Sequence, residues 1–226
     1  MAEAARRAAG LIGPTWIMAH RQTAARGRRG KVWVQPEGNL AATLIYKPYA
    51  TAPEAAKRSF LAANALFESL AFYVDRTMLK LKWPNDVLLN GGKVAGILLE
   101  SAGRGPFVDW LAVGFGVNLR AVPEGIRGAF APVSLVGEGG TEVEAGEFLS
   151  VLASSYATQE GKLAALGFAR IREDWLRHAA RLGEVITART GKTEVTGVFE
   201  TVDLDGNLIL TTPEGTKVIP AAEVYF

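Results

Sequence analysis

Between Leu79 and Leu119 the chain places β-forming runs almost end to end, and this leaves few folds open. Leu79–Trp83 gives way to Asp86–Asn90, which turns through Gly91-Gly92 into Val94–Ser101, and Phe107–Leu119 follows. A two-glycine turn folds a strand back on its neighbour, because glycine reaches the positive φ that such turns require. Two earlier runs, Trp16–Gln22 and Leu40–Lys47, join them, and a curved mixed β-sheet is expected. Helices supply its cover: Glu3–Ala9, stopped by Gly10; a helix opened by Pro53, with Phe60, Leu61, Leu66, Phe67 and Leu70 at helical spacing to about Val74; and Ala145–Leu166 and Phe168–Ala180, broken near Gly167. Leu149, Leu152, Tyr156, Leu163 and Leu166 are expected on the buried side of the last pair. Such a pattern makes an α+β fold with helices on a sheet.

Beyond Leu182 the character changes. Gly183–Thr190, Thr193–Asp203, Asn207–Thr212 and Lys217–Pro220 alternate β-formers with turns at Asp205-Gly206 and Pro213-Glu214-Gly215, which predicts a small β-barrel. The division is therefore expected as residues 1–182 and 183–226, the second part too small to stand far from the first. Gly125–Gly128 and Gly137–Gly140 mark flexible loops.

Charge and residue usage exclude several functions. Lys and Arg number 25 against 23 Asp and Glu, so the chain is near neutral and a nucleic-acid partner is not expected. With no cysteine, and with only His20 and His178 as histidines, disulfides, thiol catalysis and a Cys-His zinc finger are ruled out. No apolar run approaches the roughly 20 residues that span a bilayer, and MAEAARRAAG lacks the apolar block of a signal peptide, so a soluble cytoplasmic protein without a membrane partner is expected.

Three segments carry chemistry. Ala25–Lys31, ARGRRGK, sets Arg26, Arg28, Arg29 and Lys31 around Gly27 and Gly30, a concentration of forked cationic donors suited to a small anion. The plain alternative is a solvated surface turn. Lys82 opens KWPNDV, where Pro84 cannot donate to a ladder, so the lysine sits at a strand end able to reach into a cleft; otherwise it is a solvated lysine beside a turn. In GFGVNL, Gly114 and Gly116 share one strand face that a flat ligand or another backbone can approach, unless they form a simple bulge.

Together, in this order and spacing, ARGRRGKVW, KWPNDV, KVAGILLES and VGFGVNL resemble the biotin protein ligase family, and the likeness covers nearly the whole chain. It implies a class II synthetase-like biotin/lipoate ligase fold with a C-terminal SH3-like barrel, of the monofunctional type without a DNA-binding domain. The chemistry implied is ATP-dependent, with Mg²⁺: biotin's carboxylate attacks the α-phosphate to give biotinyl-5'-adenylate, and a lysine of a biotin carboxyl carrier domain takes the acyl group. By that likeness Lys82 and Arg28 are catalytic; Gln22, Arg26, Gly27, Arg28, Lys82, Gly96 and Gly116 hold biotin or the adenylate; and Arg29, Gly30, Trp33 and Asn118 hold ATP. Trp33 lies against adenine or packs as a plain strand aromatic. The loop is expected to be mobile until a ligand occupies it, then to close and shield the mixed anhydride from water.

Two departures stand out. Ala25 replaces the glycine that usually opens the loop, and the family's biotin-binding Ser-Thr-Asn segment does not occur, since Met1-Ala2-Glu3 lies inside the corresponding region; a start placed too far downstream is the simpler account. A lipoate or octanoate ligase, and a biotin- or adenylate-binding module without turnover, are the alternatives, with an RNA-binding protein a distant third. A monomer or homodimer is expected.

Overall fold

The closely spaced strands form a six-stranded sheet. A computed structural model of the protein describes all residues except 28–29, 31–32, 123–129, 192 and 221. The strands are β1 (Thr15–Met18), β2 (Leu40–Tyr46), β3 (Leu79–Lys82), β4 (Asp86–Leu89), β5 (Gly92–Ala102) and β6 (Trp110–Val117), in the order β1-β2-β6-β5-β4-β3. Each neighbouring pair is antiparallel. Parallel bridges join Leu81 to Ala179 and Lys93 to Pro132, so the arrangement as a whole is mixed.

One face of this sheet is covered by α3 (Arg58–Leu70) and α4 (Ala145–Arg177). The helix expected from Pro53 is divided: Thr51 and Glu54 form a reciprocal capping box that starts a short α2 (Ala52–Ala56), and α3 begins after Lys57. Almost every residue of α3 is buried because it lies between the sheet and α4. In α4 the expected break is at Gly167, whose φ of 75° and ψ of 176° interrupt the helix. Leu152 and Tyr156 are buried as expected, whereas Leu166, next to the break, is 61% exposed. The apolar stripe changes phase at Gly167, so Ile171 and Trp175 carry the core beyond it.

Gly137–Gly140 overlaps a short 3₁₀ turn, Val136–Glu138, closed by Gly139 at φ 82°. The loop at Gly125–Gly128 lies outside the described residues.

The last quarter of the chain is a second, five-stranded antiparallel sheet: β7 (Val185–Thr190), β8 (Thr193–Val202), β9 (Leu208–Thr212), β10 (Gly215–Ile219) and β11 (Glu223–Tyr225), in the order β10-β9-β8-β7-β11. Among the described residues no ladder joins β10 to β11, so this is a β unit without a closed barrel. It docks firmly. The Trp83 indole N–H donates to the Gly206 carbonyl at 3.1 Å, Arg172 reaches Thr201 Oγ1 at 3.0 Å, and Phe199, Leu208 and Leu210 share one buried cluster with Leu81, Trp83 and Trp175.

Candidate active site

The face of the six-stranded sheet away from α3 and α4 carries small side chains in register. Lys82, Asp86, Gly96, Gly116 and Ala41 stand opposite one another on β3, β4, β5, β6 and β2. Residues directly opposed on a sheet share a face, so these five form one row. The next row is Leu98, Gly114, Thr43 and Ile17, and the third is Glu100, Ala112, Ile45 and Thr15. A short helix, α1 (Ala2–Arg7), and the 3₁₀ turn after it cover the third row, where Ala4 and Ala8 pack on Ile45 and Ala112. The glycine rows remain a shallow floor. Trp33 lies on it: a Cβ added to Gly116 would come within 2.6 Å of the Trp33 ring, and one on Gly96 within 3.3 Å. The Met1 side chain lies over Gly114 in the same way, at 2.8 Å. A flat group can rest there only because Gly96, Gly114 and Gly116 carry no side chains.

At one end of the first row the chain fixes a cluster of charges. Every residue of the KWPND turn has a partner: Trp83 through its indole, Pro84 as acceptor from Ser59 Oγ at 3.0 Å, and Asn85 as donor to the Ile97 carbonyl at 2.5 Å, with the Ile97 N–H returned to Asn85 at 2.9 Å. The Trp83–Pro84 peptide is cis. Lys82 is thereby held at the strand end, 8% exposed, with Nζ 3.3 Å from Asp86 Oδ2 and 4.6 Å from the centre of the Phe130 ring. Lys93 Nζ approaches the other oxygen of Asp86 at 2.6 Å. Burial pushes the Asp86 carboxyl up, but Lys93 and Lys82 outweigh it and hold the group below the usual carboxylate range. Burial also pushes the Lys82 ammonium down, aided by the like charge of Lys93 and opposed by Asp86. Two ammoniums, Lys82 and Lys93, flank the carboxylate of Asp86 at the edge of the floor, with Glu223 also acting on Lys82, and each ammonium is a unit positive charge. At about 4 Å and an effective dielectric near 20, such a charge attracts an anion by roughly 4 kcal/mol.

The described residues at the two ends of the basic loop reach the same floor. Arg26 donates to both oxygens of Glu100, at 2.8 Å and 2.9 Å through Nη2, while Trp33 lies on Gly96 and Gly116. The loop's two ends are thus tied to β5 four residues apart, or about 13 Å along the strand. Gln22 and Gly27 are half-buried at its start, and Gly30 has the positive φ, 73°, that glycine permits. Arg28, Arg29 and Lys31 lie outside the described residues. Asn118 lies at the end of β6, 2% exposed, where its amide donates to the Val133 carbonyl at 3.0 Å and accepts from Asn39 at 3.4 Å. The structure therefore gathers Lys82, Gly96, Gly116 and Trp33 on one row. Arg26 stands two rows along, and Asn118 is built into the chain's own network.

Sequence reasoning assigns no role to Asp86, Lys93, Glu100 or Phe130. Asp86 could have been found from its place four residues after Lys82; nothing in the local sequence points to Phe130.

The biotin/lipoate A/B protein ligase family model matches residues 4–118, and the model of the biotin protein ligase C terminal domain matches residues 182–226. The chain is 53% identical over 229 aligned positions to a biotin–[acetyl-CoA-carboxylase] ligase of Paracoccus denitrificans, an alignment covering 100% of this chain and 95% of the relative. It is 29% identical to the bifunctional ligase/repressor BirA of Bacillus subtilis, over 93% of this chain and 65% of that protein. Among solved structures, a biotin protein ligase from Aquifex aeolicus in complex with biotin and ATP superposes with a TM-score of 0.81 at 24% identity, covering 98% of this chain and 93% of that one, which is a likeness of fold. The charged row, the glycine floor and the full-length match lead to one conclusion: this chain belongs to the biotin/lipoate A/B protein ligase family.

Proposed function

We propose that the protein joins biotin to ATP, forming biotinyl-5'-adenylate and pyrophosphate, and then passes the biotinyl group to a lysine of a biotin carboxyl carrier domain. The observation that carries this reading is the row Lys82–Asp86–Gly96–Gly116 with Lys93 beside it, two ammoniums and a carboxylate at the edge of a floor of glycines. In the first step a biotin carboxylate oxygen bonds to the α-phosphorus, and pyrophosphate leaves with the electron pair of the broken P–O bond. Two anions must meet for this, and Lys82 offsets their repulsion where the charge develops. In the second step the carrier amine attacks the acyl carbon, AMP leaves and the amine loses a proton.

The other roles are those the family likeness implies. Biotin rests on Gly96 and Gly116, which requires the Trp33 ring to lift and lie instead against adenine. Arg26, released from Glu100, and Arg28 hold the carboxylate and the adenylate phosphate, with Gln22 and Gly27 at the biotin end and Arg29, Gly30 and Asn118 toward the nucleotide. Among the described residues no group of three His, Cys, Asp or Glu side chains is placed to hold a metal ion. Mg²⁺ is therefore assigned to the ATP phosphates and water, where it supplies charge neutralisation. Among the described residues no helix is long and apolar enough to cross a membrane, and the reading assigns the activity to the cytoplasm, where ATP and a carboxylase carrier would meet it.

The test is to incubate the protein with biotin, ATP, Mg²⁺ and a carrier domain and measure the carrier's mass. Gain of one biotinyl group supports the proposal. Transfer of lipoate or octanoate but not biotin moves the protein to the sister activity, and binding without transfer makes it a binding module.

A further inference from the structure

The second row of the floor holds one buried hydroxyl in apolar surroundings. Thr43 of β2 stands between Gly114 of β6 and Ile17 of β1, with Leu98 of β5 beyond the glycine, and is 6% exposed. It lies two residues, about 6.8 Å, along the sheet from the row of Gly96 and Gly116. Among the described residues its hydroxyl bonds only to Met1. Thr43 Oγ1 accepts from the Met1 nitrogen at 3.2 Å and donates to Met1 Sδ at 3.6 Å. The same sulfur is the nearest atom over Gly114, 2.8 Å from where a Cβ would stand. The floor thus seats a thioether: its bulk rests on a glycine, and the neighbouring hydroxyl meets its lone pair.

With the carboxylate beside Lys82 on the first row, the ring is the part of biotin that reaches the second. There it must take the place of the Met1 side chain, which is unbranched and can swing aside. An occupant without an acceptor would leave the Thr43 proton buried and unpaired, which is costly. An occupant with donors of its own would fare worse, because Leu98, Gly114 and Ile17 offer no polar side chain to receive them. The two N–H groups of biotin's cyclic urea are therefore unsuited to this row. Its ring thioether has no donor and accepts one weak bond. We propose that Thr43 reads the ring sulfur of biotin, its hydroxyl passing from the Met1 thioether to that of the substrate. Thr43 is then a specificity-determining residue, an inference that rests on the ligase reading above.

The test compares kcat/KM for adenylate formation with two substrates in two proteins. Biotin is set beside desthiobiotin, in which two hydrogens replace the sulfur. Wild type is set beside Thr43→Val, which keeps the shape of threonine, suits a strand equally well and loses the hydroxyl. The free enzyme is common to both substrates, so the Met1 contact cancels within each protein. The opened ring of desthiobiotin cancels between proteins, and the hydroxyl–sulfur contact is what remains. The preference for biotin should fall by about three- to tenfold in Thr43→Val, the span of one modest hydrogen bond. The change should appear in KM more than in kcat, since the contact is made before and during the reaction alike. Thr43→Ser, which keeps the hydroxyl, should hold the wild-type preference to within about twofold. A threonine that merely shapes the floor would alter both substrates equally. A preference that changes by less than about twofold in Thr43→Val, a preference that grows, or a Thr43→Ser protein that behaves as Thr43→Val overturns the inference while leaving the ligase reading intact. Failure of the wild-type protein to form any adenylate from biotin and ATP overturns both.

Discussion

Gly116→Ala tests the glycine floor with a single methyl group. The new Cβ would lie 2.6 Å from Cε2 and Cζ2 of Trp33 and 2.9 Å from its Nε1. Carbon atoms prefer about 3.5–4.0 Å, so the ring must retreat by about 1 Å. Gly116 lies within regular strand β6 and is absent from the glycines with positive φ, so alanine fits its backbone. Trp33 lies on a loop and can yield. Alanine also narrows the unfolded ensemble, which is worth about 0.4–1 kcal/mol in favour of the fold. Net stability should therefore stay within about 1 kcal/mol, or about 4 °C in Tm for a chain of this size. Catalysis should respond differently. A ligand lying on the floor is lifted by the same ~1 Å, a displacement that can slow a reaction by about 10²-fold, equivalent to about 2.7 kcal/mol of barrier. Gly96→Ala is the milder comparison, because its Cβ would meet Trp33 and Lys93 at 3.3 Å and needs only a small adjustment. The paired assays are thermal unfolding and single-turnover pyrophosphate release. Wild-type turnover in Gly116→Ala would refute the floor, and a Tm lowered by more than about 8 °C would show that the glycine serves the fold instead.

Lys82→Met should cut adenylate formation by more than about 10²-fold while the urea midpoint changes little, since Asp86 keeps Lys93; a loss below about threefold would remove Lys82 from the chemistry. Gly167→Ala should lower stability by about 1–3 kcal/mol, because φ 75° with ψ 176° is open essentially to glycine alone; an unchanged urea midpoint would contradict this. The Asp86 carboxyl is held below its ordinary value in the fold. Its contribution is thus present above the unfolded value, near 3.9, and is lost as pH falls through the lower folded value. Asp86→Asn should accordingly be less stable at neutral pH and lose less on acidification, measured as urea midpoints from pH 7 down to about pH 3; parallel curves for the two proteins would rule that out.

Much of this arrangement is legible in the sequence wherever a residue's local chemistry decides its conformation. Pro84 ends a strand whatever surrounds it, so Lys82 at a strand end follows from the chain alone. Gly167 between two apolar stripes marks the break in α4, although the reset of helical phase that exposes Leu166 cannot be seen from spacing. Strand β11, three residues long, is defined by its partner β7 more than by its own sequence. Lys93 is hidden for a different reason. Its side follows from a one-residue slip in pairing, and pairing is a property of two strands. Phe130 meets Lys82 only through tertiary contact. The glycines of GFGVNL show that something can lie on that face, and the fold supplies Trp33 as the occupant.

The bond from the Trp83 indole to Gly206 gives the second sheet a mechanical connection to the Lys82 turn. Gly206 belongs to the turn between β8 and β9, which Asp203 holds rigid by accepting the N–H groups of Asp205 and Asn207 at 2.9 and 2.8 Å. Trp83, 3% exposed, is covalently next to Lys82. Force applied to that turn, whether by a docking protein or by thermal strain, therefore passes through one hydrogen bond and one peptide unit to the lysine. The composition of the chain changes near Leu182, but one buried cluster continues across that point, and the C-terminal strands act as a buttress for the lysine turn.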